Sequence, residues 1–103
     1  MADFTVVAKV SDIPSGKMKS VIAHGKQIAI ANVGGKYFAI GDLCTHAQCS
    51  LGGEGTLSGT MVTCGCHGSK FDVTTGKVKG PPASQDEPSY EIKVEGENIL
   101  INV

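Results

Sequence analysis

Over most of the chain, apolar and polar residues alternate with the period of two expected of a half-buried strand. Phe4 to Val10 is apolar and β-branched, Asp12-Ile13-Pro14-Ser15-Gly16 reads as a turn or short helical turn, and Met18 to Ala23 predicts a second strand. His24-Gly25 interrupts that strand. Lys26 to Val33 alternates again, Gly34-Gly35 is a two-residue hairpin signal, and Lys36 to Ile40 returns as its partner. At the far end, Tyr90 to Val94 and Ile99 to Val103 flank Glu95-Gly96-Glu97-Asn98 and predict a terminal hairpin.

Between Gly41 and Thr60 the period disappears. Gly41, Gly52, Gly53, Gly55 and Gly59 fall in this stretch, which predicts a long loop broken at most by a short strand near Thr56 to Leu57. Loops of that length are usually functional. Met61 to Thr63 resumes as a strand, Cys64 to Ser69 is a second glycine-rich loop, and Lys70 to Val73 pairs through Thr74-Thr75-Gly76 with Lys77 to Val78. Gly80-Pro81-Pro82-Ala83 cannot continue a central strand because proline lacks the amide donor, so it predicts a third, rigid loop, followed by a polar connection from Ser84 to Ser89. The pattern as a whole predicts an all-β, antiparallel fold.

Composition narrows the function. A chain of 103 residues forms one domain, which excludes a two-lobed enzyme with separate cofactor and substrate domains. Nine lysines and no arginine face ten acids for a net charge of −1, without the basic surplus of a nucleic-acid binder or a polybasic membrane patch. No apolar run approaches the ~18 residues that span a bilayer, and Met1-Ala2-Asp3 does not open a signal segment. The expectation is a cytoplasmic monomer without a membrane span. Fourteen glycines, five aromatic residues and no tryptophan fit short elements joined by turns.

Four cysteines lie between positions 44 and 66, accompanied by two of the three histidines. Cys44-Thr45-His46 and Cys64-Gly65-Cys66-His67 each put a thiolate and an imidazole on a short loop, separated by the stretch Ala47 to Thr63. With Cys and His two or three residues apart, each loop can aim both side chains at one centre, and the neighbouring glycines allow close backbone approach. Taken alone, this set suits a structural zinc site as well as an iron centre. Cys49 and Cys66 could be two small buried thiols, and Cys64-Gly65-Cys66 could be a thiol redox pair. His24 has no cysteine near it and reads as an exposed turn residue, whereas Phe4, Tyr37 and Phe38 fit core positions on strands. No nucleophile with its base and no substrate pocket is apparent.

The pairing of C-x-H with C-x-x-H, together with Cys49, Cys66, Gly68, Ser69 and Gly80-Pro81-Pro82, resembles the Rieske iron-sulfur family over nearly the whole chain. The run Thr75-Gly76-Lys77-Val78 through Pro82 is most similar to small Rieske ferredoxins of ring-hydroxylating oxygenase systems. The resemblance implies stacked antiparallel sheets, with a cluster-binding subdomain from about residue 41 to 82 inserted into a basal β-sandwich. It also implies one [2Fe-2S] cluster per chain, with Cys44 and Cys64 on the inner iron and His46 and His67 on the outer, redox-active iron. Two thiolates and two neutral imidazoles leave the oxidised cluster uncharged, whereas four thiolates would leave it anionic, so an added electron is less repelled.

By the same resemblance Cys49 and Cys66 form a disulfide joining the two cluster loops, and Gly80, Pro81 and Pro82 cover the cluster. Ser69 stands where a hydroxyl bonds a bridging sulfide in high-potential members, while Phe71 replaces a tyrosine that bonds a cysteine sulfur. Ala47-Gln48 replaces the bulky apolar docking residue of quinol-oxidising members, which speaks against quinol oxidation. The function implied is one-electron transfer from a reductase to an oxygenase or similar acceptor, with no catalytic residues. The alternative is a non-catalytic Rieske-like accessory subunit of a reductase such as nitrite reductase.

Overall fold

The computed structural model describes residues 4–43, 49–65, 68–80 and 85–102. Among the described residues, ten antiparallel strands form two sheets. The larger sheet contains β1 (Phe4–Lys9), β2 (Met18–Ala23), β3 (Lys26–Val33), β4 (Lys36–Gly41), β9 (Ser89–Glu95) and β10 (Asn98–Asn102) in the order β1-β10-β9-β4-β3-β2. The smaller contains β5 (Thr56–Ser58), β6 (Met61–Thr63), β7 (Lys70–Asp72) and β8 (Val78–Gly80) in sequence order.

The hairpins follow from their turns. Gly34 and Gly35 both take positive φ, 60° and 96°, the signature of a turn whose twist matches the flanking strands, and Val33 faces Lys36 across it. His24 takes the same left-handed region, φ 50°, ahead of Gly25, so the interruption after Ala23 is itself a hairpin turn between β2 and β3. His24 is exposed, and its Nε2 lies 3.3 Å from Thr5 Oγ1, which brings the turn after β2 against β1 from the opposite end of the sheet.

Strand β3 explains the layering. It is buried on both faces from Ile28 to Asn32, although its sequence predicts a half-buried strand. Ile28 and Ile30 join Ala8, Ile13, Ala23, Ala39, Ile99 and Ile101 in a core closed by the large sheet. Ala29 and Ala31, pointing the other way, join Ile40, Leu51, Val62, Cys64, Phe71 and Val73 in a second core beneath the small sheet. Small alanines on that face let the second layer approach closely.

Several boundaries differ from those the sequence predicts. Gly41 belongs to β4, and the stretch from Gly41 to Thr60 contains a short helix, α1 (Leu51–Glu54), besides β5. The helix is capped by Ser50, whose Oγ accepts from the Gly53 amide at 2.9 Å. Strand β7 ends at Asp72 rather than Val73. Strand β8 runs on to Gly80, which faces Lys70; Gly80 can pair because the proline restriction begins only at the next residue. Phe4, Tyr37 and Phe38 are half-buried rather than fully enclosed, and Lys93 Nζ sits 4.3 Å from the centre of the Phe4 ring. Among the described residues, no helix is long and apolar enough to cross a membrane.

Candidate metal centre

The second cysteine loop begins where β6 ends. Cys64 is a free thiol, 2% exposed, and its backbone is held at both groups: its N–H donates to the Ser69 carbonyl at 2.7 Å and its carbonyl accepts from the Gly68 amide at 3.1 Å. Gly68 takes φ 79°, which reverses the chain so that these two bonds can form across so short a loop. Ser69 is fully buried, and Phe71, two residues on, is fully buried in the same apolar core as Cys64. Cys49, at the end of the first loop, packs against that core and is disulfide-bonded. Thus Cys49, Cys64 and Phe71 share one apolar layer, with Ser69 directly before the strand that carries Phe71.

The other side of this layer is stiffened by the turn between β7 and β8. Asp72 Oδ1 accepts from the Thr74 amide at 2.9 Å and the Thr74 hydroxyl at 2.6 Å, while the Asp72 carbonyl accepts from the Gly76 amide at 2.7 Å. The Thr74 hydroxyl, then its amide and the charge of Lys79, hold the Asp72 carboxyl below its ordinary range against the opposing effect of partial burial. At Gly76, φ 81°, an added Cβ would overlap the Glu87 carbonyl, and the Glu87 amide donates to the Gly76 carbonyl at 2.7 Å. The Gly41 amide in turn donates to the Pro88 carbonyl at 2.8 Å. The 87–88 segment therefore fastens the β7–β8 turn to the end of β4.

At the first loop lies Asp42, which the ligand motifs do not single out. This residue follows β4, is fully buried, and accepts hydrogen bonds from Ser20, Gln27, Ser50 and the Gly52 amide. The available signal is an acid directly after a buried strand, beside the serine and glycines of the loop; its donors come from three separate stretches, so spacing does not reveal them. Cys44, His46, Cys66, His67, Pro81 and Pro82 lie outside the described residues, as do Ala47 and Gln48. Of the residues singled out from the sequence, the structure describes Cys49, Cys64, Ser69, Phe71 and Gly80. It places Cys49, Cys64 and Phe71 around one core, Ser69 buried directly before β7, and Gly80 at the end of the strand beside β7.

A free cysteine thiol on a pinned turn, with an apolar layer behind it, suits a metal thiolate: water is kept from the sulfur on the core side and the backbone need not rearrange to bind. The comparisons with known proteins agree with this chemistry. Residues 3–97 match the model of the Rieske [2Fe-2S] domain. The biphenyl dioxygenase ferredoxin subunit of Pseudomonas sp. (strain KKS102) is 40% identical over 99 residues, covering 96% of this chain and 91% of that protein. The ferredoxin of carbazole 1,9a-dioxygenase from Nocardioides aromaticivorans IC177 superposes with a TM-score of 0.91 at 25% identity, covering 97% of both chains. A chain in the complex of reduced oxygenase and oxidized ferredoxin of carbazole 1,9a-dioxygenase superposes with a TM-score of 0.88 at 31% identity, covering 96% of this chain and 92% of that one.

Proposed function

This chain belongs to the Rieske [2Fe-2S] domain family, and on that premise we propose that it is a one-electron carrier that takes electrons from a reductase and delivers them to a terminal oxygenase. The observation that carries this reading is the similarity, over nearly its full length, to proteins named as ferredoxin components, one of them in a complex with its oxygenase. When bound, the cluster would supply the one-electron couple, and the apolar layer around Cys64 would exclude water from one side of it.

In this reading one cluster binds per chain, with Cys44 and Cys64 as thiolate ligands and His46 and His67 as imidazole ligands. The donor set fits: Cys64 is a free thiol already fixed in place, and Cys49 is engaged in a disulfide and so is not available as a ligand. In this reading Cys66 is the disulfide partner of Cys49, as the family resemblance implies, and the bond joins the two loops. The buried Ser69 hydroxyl and the Phe71 ring occupy the tuning positions, Gly80-Pro81-Pro82 covers the cluster, and residues 41–82 form the binding subdomain of a single 1–103 domain. The same reading makes the protein a cytoplasmic monomer.

Iron and acid-labile sulfide analysis of the purified protein tests the assignment. About two of each per chain is the expected result, because two cysteines and two histidines complete one such cluster. Stoichiometric zinc without labile sulfide would overturn it.

A further inference from the structure

Asp42 is the first residue after β4 and stands two positions before Cys44. It is fully buried, and both carboxylate oxygens are occupied. Oδ2 accepts from Ser20 Oγ on β2 at 2.9 Å, from the Gln27 side-chain amide on β3, and from Ser50 Oγ at 2.7 Å. Oδ1 accepts from the Gly52 amide at 2.7 Å. The main chain adds two more bonds: the Asp42 amide donates to the Gln27 carbonyl at 3.0 Å, and its carbonyl accepts from the Leu51 amide at 2.7 Å. Leu43 and Ser50 then form an antiparallel bridge. The two stems of the 44–48 loop are thus tied to each other and, through one carboxylate, to β2 and β3.

Gly52 shows how little slack the arrangement has. A Cβ there would lie 2.7 Å from the Ser20 amide nitrogen and 3.0 Å from Asp42 Oδ1. Helix α1 therefore rests with its backbone directly on β2, and the Gly52 amide points at the carboxylate. Apolar packing could hold such a loop near the sheet, but it is non-directional. Four converging donors fix both the position and the orientation of what they hold.

We infer that Asp42 is a positioning residue for the first ligand loop, setting the placement of Cys44 and His46 through its stems. The inference rests on the assignment of those two residues as ligands. Asp42→Asn keeps the shape but replaces one acceptor oxygen with a donor NH2. Ser20 and Ser50 can rotate their hydroxyls to accept, whereas the Gly52 amide can only donate.

The test uses the iron-loaded protein with three readouts. Hydrogen exchange at Gly52 should accelerate about tenfold in Asp42→Asn, because its amide then donates to a neutral oxygen in place of a charged one. Iron release to a chelator should accelerate with it, while the amides of β9 and β10 keep wild-type rates. The electron paramagnetic resonance lines of the reduced protein should broaden as the loop samples several placements. Ser20→Ala, which removes a single sheet-side donor to the carboxylate, should move all three readouts in the same direction by less, and it serves where Asp42→Asn fails to fold. Faster exchange with unchanged resonance lines and unchanged iron release would overturn the positioning role, as would an equal acceleration at β9 and β10. Failure of the ligand assignment is seen separately, as wild-type protein lacking iron and sulfide.

Discussion

The two sheets are built by different means. In the six-stranded sheet β3 pairs with β2 and with β4 over six residues each in unbroken register, and the aliphatic core of Ile28, Ile30, Ile99 and Ile101 is enclosed by the strands themselves. In the four-stranded sheet every strand has three residues. Ladders that short order few side chains, so this region leans on individual groups: Phe71, Val62 and Val73 as apolar anchors, Asp72 and Thr74 in a turn, and Cys64 pinned to Ser69. The long ladders make a rigid base. The small sheet is free to spend its sequence on loops that hold ligands, and it is correspondingly more sensitive to the loss of single residues or of the cluster.

The sharpest way to break this contrast is to remove one anchor from each region. Phe71→Ala should cost about 3 to 5 kcal/mol and Ile101→Ala about 2 to 5 kcal/mol by chemical denaturation. The discriminating outcome is where protection is lost: hydrogen exchange in Phe71→Ala should rise first in residues 56–80, leaving β3 and β4 slow, whereas Ile101→Ala should weaken both sheets. Equal local losses in the two variants would erase the distinction.

Breaking the proposed disulfide comes next. A bond from Cys49 to Cys66 closes a loop of about 18 residues, and by the chain-entropy account Cys49→Ser should cost about 3 kcal/mol. Melting curves should show the loss, accompanied by faster cluster bleaching, while freshly prepared variant still contains iron. Wild-type melting unchanged by the substitution would count against the bond as a staple of the small region.

A smaller effect should be seen at Phe71. Its ring is enclosed in the core that contains Cys64, so Phe71→Tyr places a hydroxyl close to where a ligand sulfur is assigned. A donor there favours the electron-rich reduced state; a difference of about 1 to 2 kcal/mol between redox states corresponds to a potential raised by roughly 40 to 85 mV. Voltammetry at one pH measures it, and a lowered or unchanged potential with the cluster intact would place the ring away from the sulfur.

The smallest effect concerns Asp72, which is partly exposed. Because its folded-state pKa is depressed by Thr74, its contribution to stability is fully present above the ordinary carboxylate value and is lost as the pH falls through the lower folded value. Asp72→Asn should therefore melt slightly below wild type at neutral pH, by no more than about 1 kcal/mol, and the two curves should converge in acid. A difference that widened toward low pH would reverse the assigned sign.

The base of the molecule was easily read from the chain because its causes are local. Gly34-Gly35 dictates a hairpin, and alternation on either side fixes which residues face inward. Helix α1 is not legible in the sequence because Leu51-Gly52-Gly53-Glu54 has poor helical propensity and exists through tertiary bonds to Asp42 and the Ser50 cap. Likewise β3 looked half-buried, since nothing local tells that Ala29 and Ala31 will be covered by a second sheet. In the site, Cys64, Cys49, Ser69 and Phe71 stood out as chemistry or as family positions. Asp42 did not, because a buried acid declares itself only through donors brought together by the fold.

The central claim is that this family member moves one electron at a time. Reductive titration of the purified protein under anaerobic conditions, followed by electron paramagnetic resonance, tests it most directly. One electron per two irons should be taken up reversibly, at a potential within the Rieske range of about −150 to +300 mV. Uptake of two electrons per chain through a thiol pair, or no reversible uptake in that range by protein that contains its iron, would contradict the account.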